Sequence, residues 1–359
     1  MITPLPLDTF FDEPPYGLAR PQRETLFLER MSWLTHHHMQ HCPSYKKMMA
    51  FFPDQTEKHP SLEHIPFLPV RLFKELDLKS VPRNQVQKTL LSSGTTGHTR
   101  SRIALDHAEI IRQTKVLTHI TVNFTGLERM PMLIIDSQSA QRGADALSAR
   151  TAATTGFSLF GRPITYALDK QGMTDLNALK DFEARYGNQP VFVFGLTFLV
   201  FSKFLKCLEE QGMRLDLGKS ILIHGGGWKK MADQQISARA FRALAEKTTG
   251  IRSVHNYYGL VEQTGSIFLE CEQHYLHPSL FSDVLVRNAH LEPCASNERG
   301  LLQLFSALPE SYPGHSLLTE DEATILGEDD CPCGRKGKYF VVHGRVQDAE
   351  ARGCSDTLS

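Results

Sequence analysis

The chain has 359 residues, 41% of them hydrophobic and 22% charged, which suffices for a large buried core in one big domain or two moderate ones. Its 39 Lys and Arg stand against 40 Asp and Glu, a net charge of -1, so no surplus of positive charge serves a nucleic-acid backbone or an anionic membrane. Apolar runs such as 191–200 reach about half a transmembrane span, and residues 1–15 hold Asp8, Asp12, Glu13 and several prolines in place of a signal-peptide core; a cytoplasmic protein with no membrane span is expected.

Residues 1–60 read as a helical N-terminal region behind a Pro-rich lead. Over 23–49 helix formers dominate, and Leu26, Leu28, Met31 and Leu34 are spaced to bury one face. The internal run His36-His37-His38 reads as an exposed face of that helix. Pro60, Pro66 and Pro69 then break regularity before 70–76. From about residue 90 the pattern alternates. Short apolar runs at 132–135, 191–194 and 221–223 predict buried strands, and 106–119, 175–186, 196–211 and 229–247 predict helices between them. Such alternation indicates an α/β architecture with substantially parallel sheet. Beyond Ile267 the chain turns strand-rich, with strands expected at 284–286, 301–305 and 339–343.

Three segments carry candidate chemistry. The string Leu90-Leu91-Ser92-Ser93-Gly94-Thr95-Thr96-Gly97-His98-Thr99-Arg100 offers two glycines for tight turns and several hydroxyls for phosphate oxygens. An ordinary polar turn has the same composition, and a Walker-type loop is excluded because the Gly-Lys-Ser/Thr ending is missing. His224-Gly225-Gly226-Gly227-Trp228-Lys229 follows a predicted strand, either as a place where a ligand approaches the backbone or as a tight strand-to-helix turn. Seven irregularly spaced cysteines argue against a disulfide framework in a reducing compartment. Cys331-x-Cys333 is a weak signal alone. Cys271 with His277 supplies two more ligands of the kind tetrahedral zinc takes, with His274 as an alternative to His277.

The Ser-Ser-Gly-Thr-Thr-Gly string resembles the phosphate loop of the adenylate-forming superfamily. Tyr257-Tyr258-Gly259-Leu260-Val261-Glu262 resembles its Tyr-Gly-x-x-Glu segment, and Thr319-Glu320-Asp321 and Gly344-Arg345 follow in the expected order. With Val70-Arg71-Leu72-Phe73-Lys74, Cys331-Pro332-Cys333-Gly334-Arg335 and Ala349-Glu350-Ala351-Arg352-Gly353-Cys354-Ser355, the chain looks like the acyl-protein synthetase (LuxE) family, close to the phenylacetate-CoA ligases. The resemblance spans nearly the whole chain and is loosest over the first 60 residues. It implies an adenylate-forming core over 61–343, with parallel-rich sheets packed by helices plus a smaller β-rich part. Residues 344–359 would form a hinge and short tail. Only 14 residues follow Arg345, so the usual mobile C-terminal domain and its lysine are not carried over.

The implied reaction is ATP-dependent conversion of a carboxylic acid to an acyl-adenylate, then transfer to a protein thiol. By resemblance, Ser92, Ser93, Gly94, Thr95, Thr96 and Gly97 hold the pyrophosphate, with Thr95 and Thr96 as catalytic donors. Glu262 holds Mg²⁺, Tyr258 with Gly259 faces the adenine, Gly225, Gly226 and Gly227 lie beside the adenine and acyl group, Asp321 meets the ribose, and Arg345 sits near the ribose or α-phosphate. Each has a plainer reading alone: Glu262 as a helix cap, Asp321 as a surface turn, Arg345 as a surface ion pair. Cys271, His277, Cys331 and Cys333 would bind a structural zinc. Cys354 would accept the acyl group as a thioester and pass it to an acyl-CoA-reductase-like partner; the thiolate is intrinsically nucleophilic and a short tail is mobile enough to swing. Phe192, Phe194 and Phe198 would line an acyl pocket or simply pack the core. A ligase using coenzyme A directly, or a non-catalytic partner subunit with a decayed nucleotide site, are the rival expectations.

Overall fold

In the computed structural model, which describes residues 5–52, 59–92, 100–141, 149–228 and 235–346, the first long helix is Arg20–His41. Pro21 sits in its first turn, where a missing N–H costs nothing. It stops at Cys42 because Pro43 opens the next helix, Pro43–Met49, so the predicted single helix is two. The buried face is also richer than its apolar spacing suggests. Phe27, Met31 and Leu34 are buried, but so are Arg23, Arg30, Thr35 and His38. The expectation of an exposed histidine face is therefore corrected: His38 is wholly buried and His37 is half-buried.

The described residues fall into two compact units. One takes the chain up to Ser92, residues 100–120 and everything from Gly259; the other takes Thr121–Tyr258. The first unit opens with β1 (Leu68–Pro69) and an antiparallel hairpin of β2 (Lys88–Leu91) and β3 (Arg102–Leu105).

The second unit is built on a parallel sheet of β4 (Met130–Ser137), β5 (Gly161–Leu168), β6 (Phe192–Leu196), β7 (Ile221–Gly225) and β8 (Ser253–Tyr258), in the order β5-β4-β6-β7-β8. Strands covered on both faces read as continuous apolar runs, which is why β4, β6 and β7 were legible in the sequence. One face carries Leu133, Ile135, Val193 and Leu222 against Leu179, Phe182, Phe204, Leu208 and Phe241 of the covering helices. The other carries Phe192 and Phe194 against Phe157 and Tyr257, with Phe157 and Phe194 stacked at 4.2 Å. The helix Leu176–Tyr186 starts where Asp175 accepts a hydrogen bond from the Ala178 N–H, and Ala238–Thr249 starts where Ser237 accepts from Ala240. Gly250 ends the latter in the left-handed region at φ 75°.

The chain then returns to the first unit as β9 (Phe268–Glu270), β10 (Leu276–His277), β11 (Ser282–Arg287), β12 (Arg299–Ser306), β13 (Ser316–Glu328) and β14 (Lys338–Arg345). Their order is β11-β12-β13-β14-β10-β9, antiparallel throughout, with β1 parallel to β13. The architecture is thus the expected α/β one, a parallel-rich part and a β-rich part. No helix among the described residues is long and apolar enough to cross a membrane.

Three buried histidines make the fold acid-sensitive. Burial pushes His224 and His315 down to about 3, and His38 well below its ordinary value. Below about pH 6.5 the unfolded chain takes up protons that the folded one refuses, so stability is complete above that pH and falls as pH drops towards the folded values. Each histidine adds a slope of at most roughly 1.4 kcal/mol per pH unit. Thermal melting followed downward from neutral pH is expected to show this decline beginning near pH 6.5. A melting temperature that stays level down to about pH 5 would contradict it.

Candidate functional site

The predicted phosphate loop leaves from the end of the β2–β3 hairpin. Ser92 donates its N–H to Ser101 O at 3.1 Å, and its Oγ accepts from the Ser101 N–H at 2.9 Å, so the two serines close the hairpin side of the loop. Ser93, Gly94, Thr95, Thr96 and Gly97 lie outside the described residues, as does Cys354.

In the second unit, the three glycines begin at the last residue of β7. Gly225 is needed there on steric grounds: a Cβ would lie 2.3 Å from the ring of Tyr257, its register partner on β8. Gly226 has φ 81°, a conformation that L side chains rarely adopt. The flanks pin this turn. His224 meets Thr197 Oγ1 through Nδ1 at 2.9 Å and lies 4.4 Å from the Phe241 ring, while Trp228 packs edge-on to Phe201. Tyr258 ends β8, half-buried. Phe192 and Phe194 are fully buried within aromatic packing, so they serve as core rather than as an open wall for an acyl chain.

In the first unit, Gly259 leads into the short turn Val261–Gln263, which holds Glu262 with 4% exposure. The charge of Glu262 reaches Tyr312: burial, then Glu109, then Glu262 raise that phenol well above its ordinary range. Asp321 and Arg345 sit opposite one another on β13 and β14, and Arg345 Nε lies 3.7 Å from Asp321 Oδ1. Two motifs 24 residues apart in sequence thus share one cross-strand position. A carboxylate beside a guanidinium at a strand end can accept from paired hydroxyls and donate to a phosphate.

The first unit also gathers Cys271, His277, Cys331 and Cys333, whose ligand atoms all lie within 4.8 Å of one another. Cys271 Sγ is 4.0 Å from Cys331 Sγ, and Cys333 Sγ is 3.5 Å from His277 Nε2. A tetrahedron with zinc–sulfur bonds of about 2.3 Å has edges of about 3.8 Å, so the spacing fits. Tight turns shape both cysteine segments: His274 takes φ 66° after Cys271, and Gly334 takes φ 83° after Cys333. The histidine whose ring joins the cluster is His277, not His274. Burial pushes the thiols of Cys271 and Cys331 up, the latter to about 12. Burial acts the same way on Cys333, but hydrogen bonds from the Arg335 backbone and from its neighbours outweigh it and bring that thiol down. Burial and then Arg335 push His277 down to about 4, which leaves it the neutral imidazole that ligates metals.

Sequence reading missed the buried loop between β12 and β13, where Tyr312 and Gly314 meet Glu262. A Cβ on Gly314 would stand 2.7 Å from Glu262 O and 2.3 Å from the Tyr312 ring. The only local signal was Pro313-Gly314, which marks a turn and says nothing about what the turn touches.

Comparisons with known proteins agree with this picture. A family model described as Acyl-protein synthetase, LuxE, matches residues 5–359. A long-chain-fatty-acid–luciferin-component ligase of Vibrio harveyi is 24% identical over 312 residues, covering 83% of this chain and 78% of that protein. The ligase of the same description from Aliivibrio fischeri is 23% identical over 313 residues, covering 83% and 79%. Among solved structures, an open form of 2-hydroxyisobutyryl-CoA ligase in complex with 2-HIB-AMP and CoA matches with a TM-score of 0.69 at 14% identity, over 91% of this chain and 72% of that one. That likeness establishes the fold.

Proposed function

This chain belongs to the acyl-protein synthetase (LuxE) family, and from that we propose that it spends ATP, with Mg²⁺, to turn a long-chain fatty acid or similar carboxylic acid into an acyl-adenylate, then carries the acyl group on Cys354 to a partner protein. The enzyme is an acid–thiol ligase, as its family is. The observation that carries the finer reading is the family match over residues 5–359, supported by two relatives whose names specify a long-chain fatty acid.

The chemistry explains the residue types. A carboxylate acylates poorly because hydroxide leaves poorly; attack on the α-phosphate of ATP replaces it with AMP as the leaving group and releases pyrophosphate. The enzyme must hold two anions together and neutralise charge at phosphorus. In this reading Ser92, Ser93, Gly94, Thr95, Thr96 and Gly97 receive the pyrophosphate. Glu262 is a ligand for Mg²⁺, a hard cation that takes carboxylate and phosphate oxygens. Tyr258 and Gly259, with Gly225, Gly226 and Gly227, contact the adenine and acyl portions, and Asp321 and Arg345 contact the ribose and α-phosphate. The Cys354 thiolate attacks the acyl carbonyl, AMP departs, and the thioester awaits a second thiol on the partner, an acyl-CoA-reductase-like protein. Cys271, His277, Cys331 and Cys333 are assigned a structural zinc, supported by their mutual distances and the neutral state of His277.

The test is intact-protein mass spectrometry after incubation with ATP, Mg²⁺ and a panel of fatty acids. A hydroxylamine-labile gain equal to one acyl group is expected, and Cys354→Ser should remove it. If acyl-CoA forms at an undiminished rate in Cys354→Ser and no acylated protein appears, the direct coenzyme A ligase is correct instead.

A further inference from the structure

The connection from β12 to β13, residues 307–315, is buried along nearly its whole length, which is unusual for a loop because its backbone polar groups then need partners. They find them in side chains from distant segments. Arg30 Nε donates to Ala307 O at 2.9 Å, His38 Nε2 to Pro309 O at 3.0 Å, and His37 Nε2 to Glu310 O at 2.9 Å. The Glu310 N–H donates to Glu109 Oε2 at 2.9 Å, and the Ser80 N–H to Ser311 O at 2.7 Å. Ion pairs of Glu310 with Arg30 at 2.5 Å and Arg112 at 3.0 Å lock the middle of the loop. Its far end meets the turn that carries Glu262. Gln263 Nε2 donates to Gly314 O at 2.8 Å and to Leu304 O at 3.2 Å. Both partners are carbonyls, so the amide orientation is fixed by donor count.

The turn Val261–Gln263 spans three residues, and its own backbone bonds are short-range. Gln263 N–H donates to Leu260 O at 3.1 Å and Thr264 Oγ1 to Val261 O at 2.7 Å. Gln263, 1% exposed, is the side chain next to Glu262 and points into the strand-and-loop floor, and Gly314 lies close enough to Glu262 O that no side chain fits between them. We propose that Gln263 is a positioning residue: by tying the turn to Leu304 and Gly314, it sets where the Glu262 carboxylate stands. The inference rests on the Mg²⁺ role proposed for Glu262. It makes physical sense because Mg²⁺ demands near-ideal octahedral geometry, so a ligand on an unanchored turn is a poor ligand.

The experiment measures the Mg²⁺ dependence of acid-dependent pyrophosphate exchange into ATP. Gln263→Leu keeps the volume and removes both donors. Its half-saturating Mg²⁺ concentration is expected to rise about 10- to 100-fold, as when a group that orients a metal ligand is lost. The KM for the acid should stay within about twofold, because acid binding is not what the turn serves. Gln303→Leu is the control for general loosening: Gln303 is equally buried in β12 but donates to Ser316 Oγ and accepts from Arg287 Nε, and its variant should leave the Mg²⁺ requirement alone. If Gln263→Leu does not fold, Gln263→Asn, which keeps the amide but shortens its reach to Leu304 O and Gly314 O, should give the same shift. A wild-type Mg²⁺ requirement in the folded variant, or an equal shift in Gln303→Leu, overturns the positioning role while an inactive Glu262→Gln keeps the metal role. Full exchange in Glu262→Gln defeats the metal role itself.

Discussion

Glu262→Gln is expected to lower acid-dependent pyrophosphate exchange by at least about 10²-fold, the scale on which removing one charge-stabilising group at a reacting centre is felt. The substitution keeps the shape of a side chain that is 4% exposed, removes its charge and turns one acceptor oxygen into an amide donor. Folding should therefore survive, and the melting temperature should move little. Exchange and melting measured on the same preparation separate the two effects. Wild-type exchange in this variant would take Glu262 out of the metal role and leave the turn Val261–Gln263 as a structural feature.

The second large effect is expected at the cysteine–histidine cluster. The purified protein should contain about one zinc per chain, since a closed Cys₃His set binds zinc with an apparent free energy of about 10–16 kcal/mol in small peptides. Cys331→Ser should lose the metal and cost on the order of 3–5 kcal/mol of stability, the range that loss of a structural metal reaches. For a folding unit of some two hundred residues, about 2–4 °C follows each kcal/mol, so melting should fall by roughly 6–20 °C. The physical reason lies in the topology. Cys271 and His277 flank the turn into β10, while Cys331 and Cys333 flank the turn into β14, its antiparallel neighbour. One cation would join those two turns and replace the weak thiol contacts of the cluster with metal–sulfur bonds. Metal analysis that finds no zinc, together with unchanged melting of Cys331→Ser, would leave the cluster as ordinary buried thiols.

Local features were read correctly from the chain because their causes are local. The continuous apolar runs of β4, β6 and β7 and the helices after Asp106 and Asp175 follow from hydrophobic period and caps. All four cluster residues were named from the sequence, with His274 as an alternative to His277, and it is the folded distances that single out His277. Other elements were missed for equally definite reasons. β5, with Arg162 and Pro163, has no apolar run, and β8, with Ser253, His255 and Asn256, is polar along much of its length; both are strands because parallel neighbours pair with them. The helix expected from residue 229 has its described turns from Ala238, after the Ser237 cap.

What the amino-acid order determined by itself was the α/β alternation, the Ser-Ser-Gly-Thr-Thr-Gly and Tyr-Gly-x-x-Glu strings, and the kinds of ligand offered to a metal, since each depends on residues a few positions apart. Tertiary structure alone decided that Arg30, His38 and Gln263 are interior groups, that Asp321 faces Arg345, and that Gly314 rests on Glu262. The interior placement of Arg30 and His38 depends on a buried loop up to 280 residues away, as Arg30 meets Glu310, and the Asp321–Arg345 pairing on the register of two strands. A polar side chain on a helix looks solvent-facing until the carbonyl it must satisfy is known, and that carbonyl is placed by packing rather than by sequence neighbours.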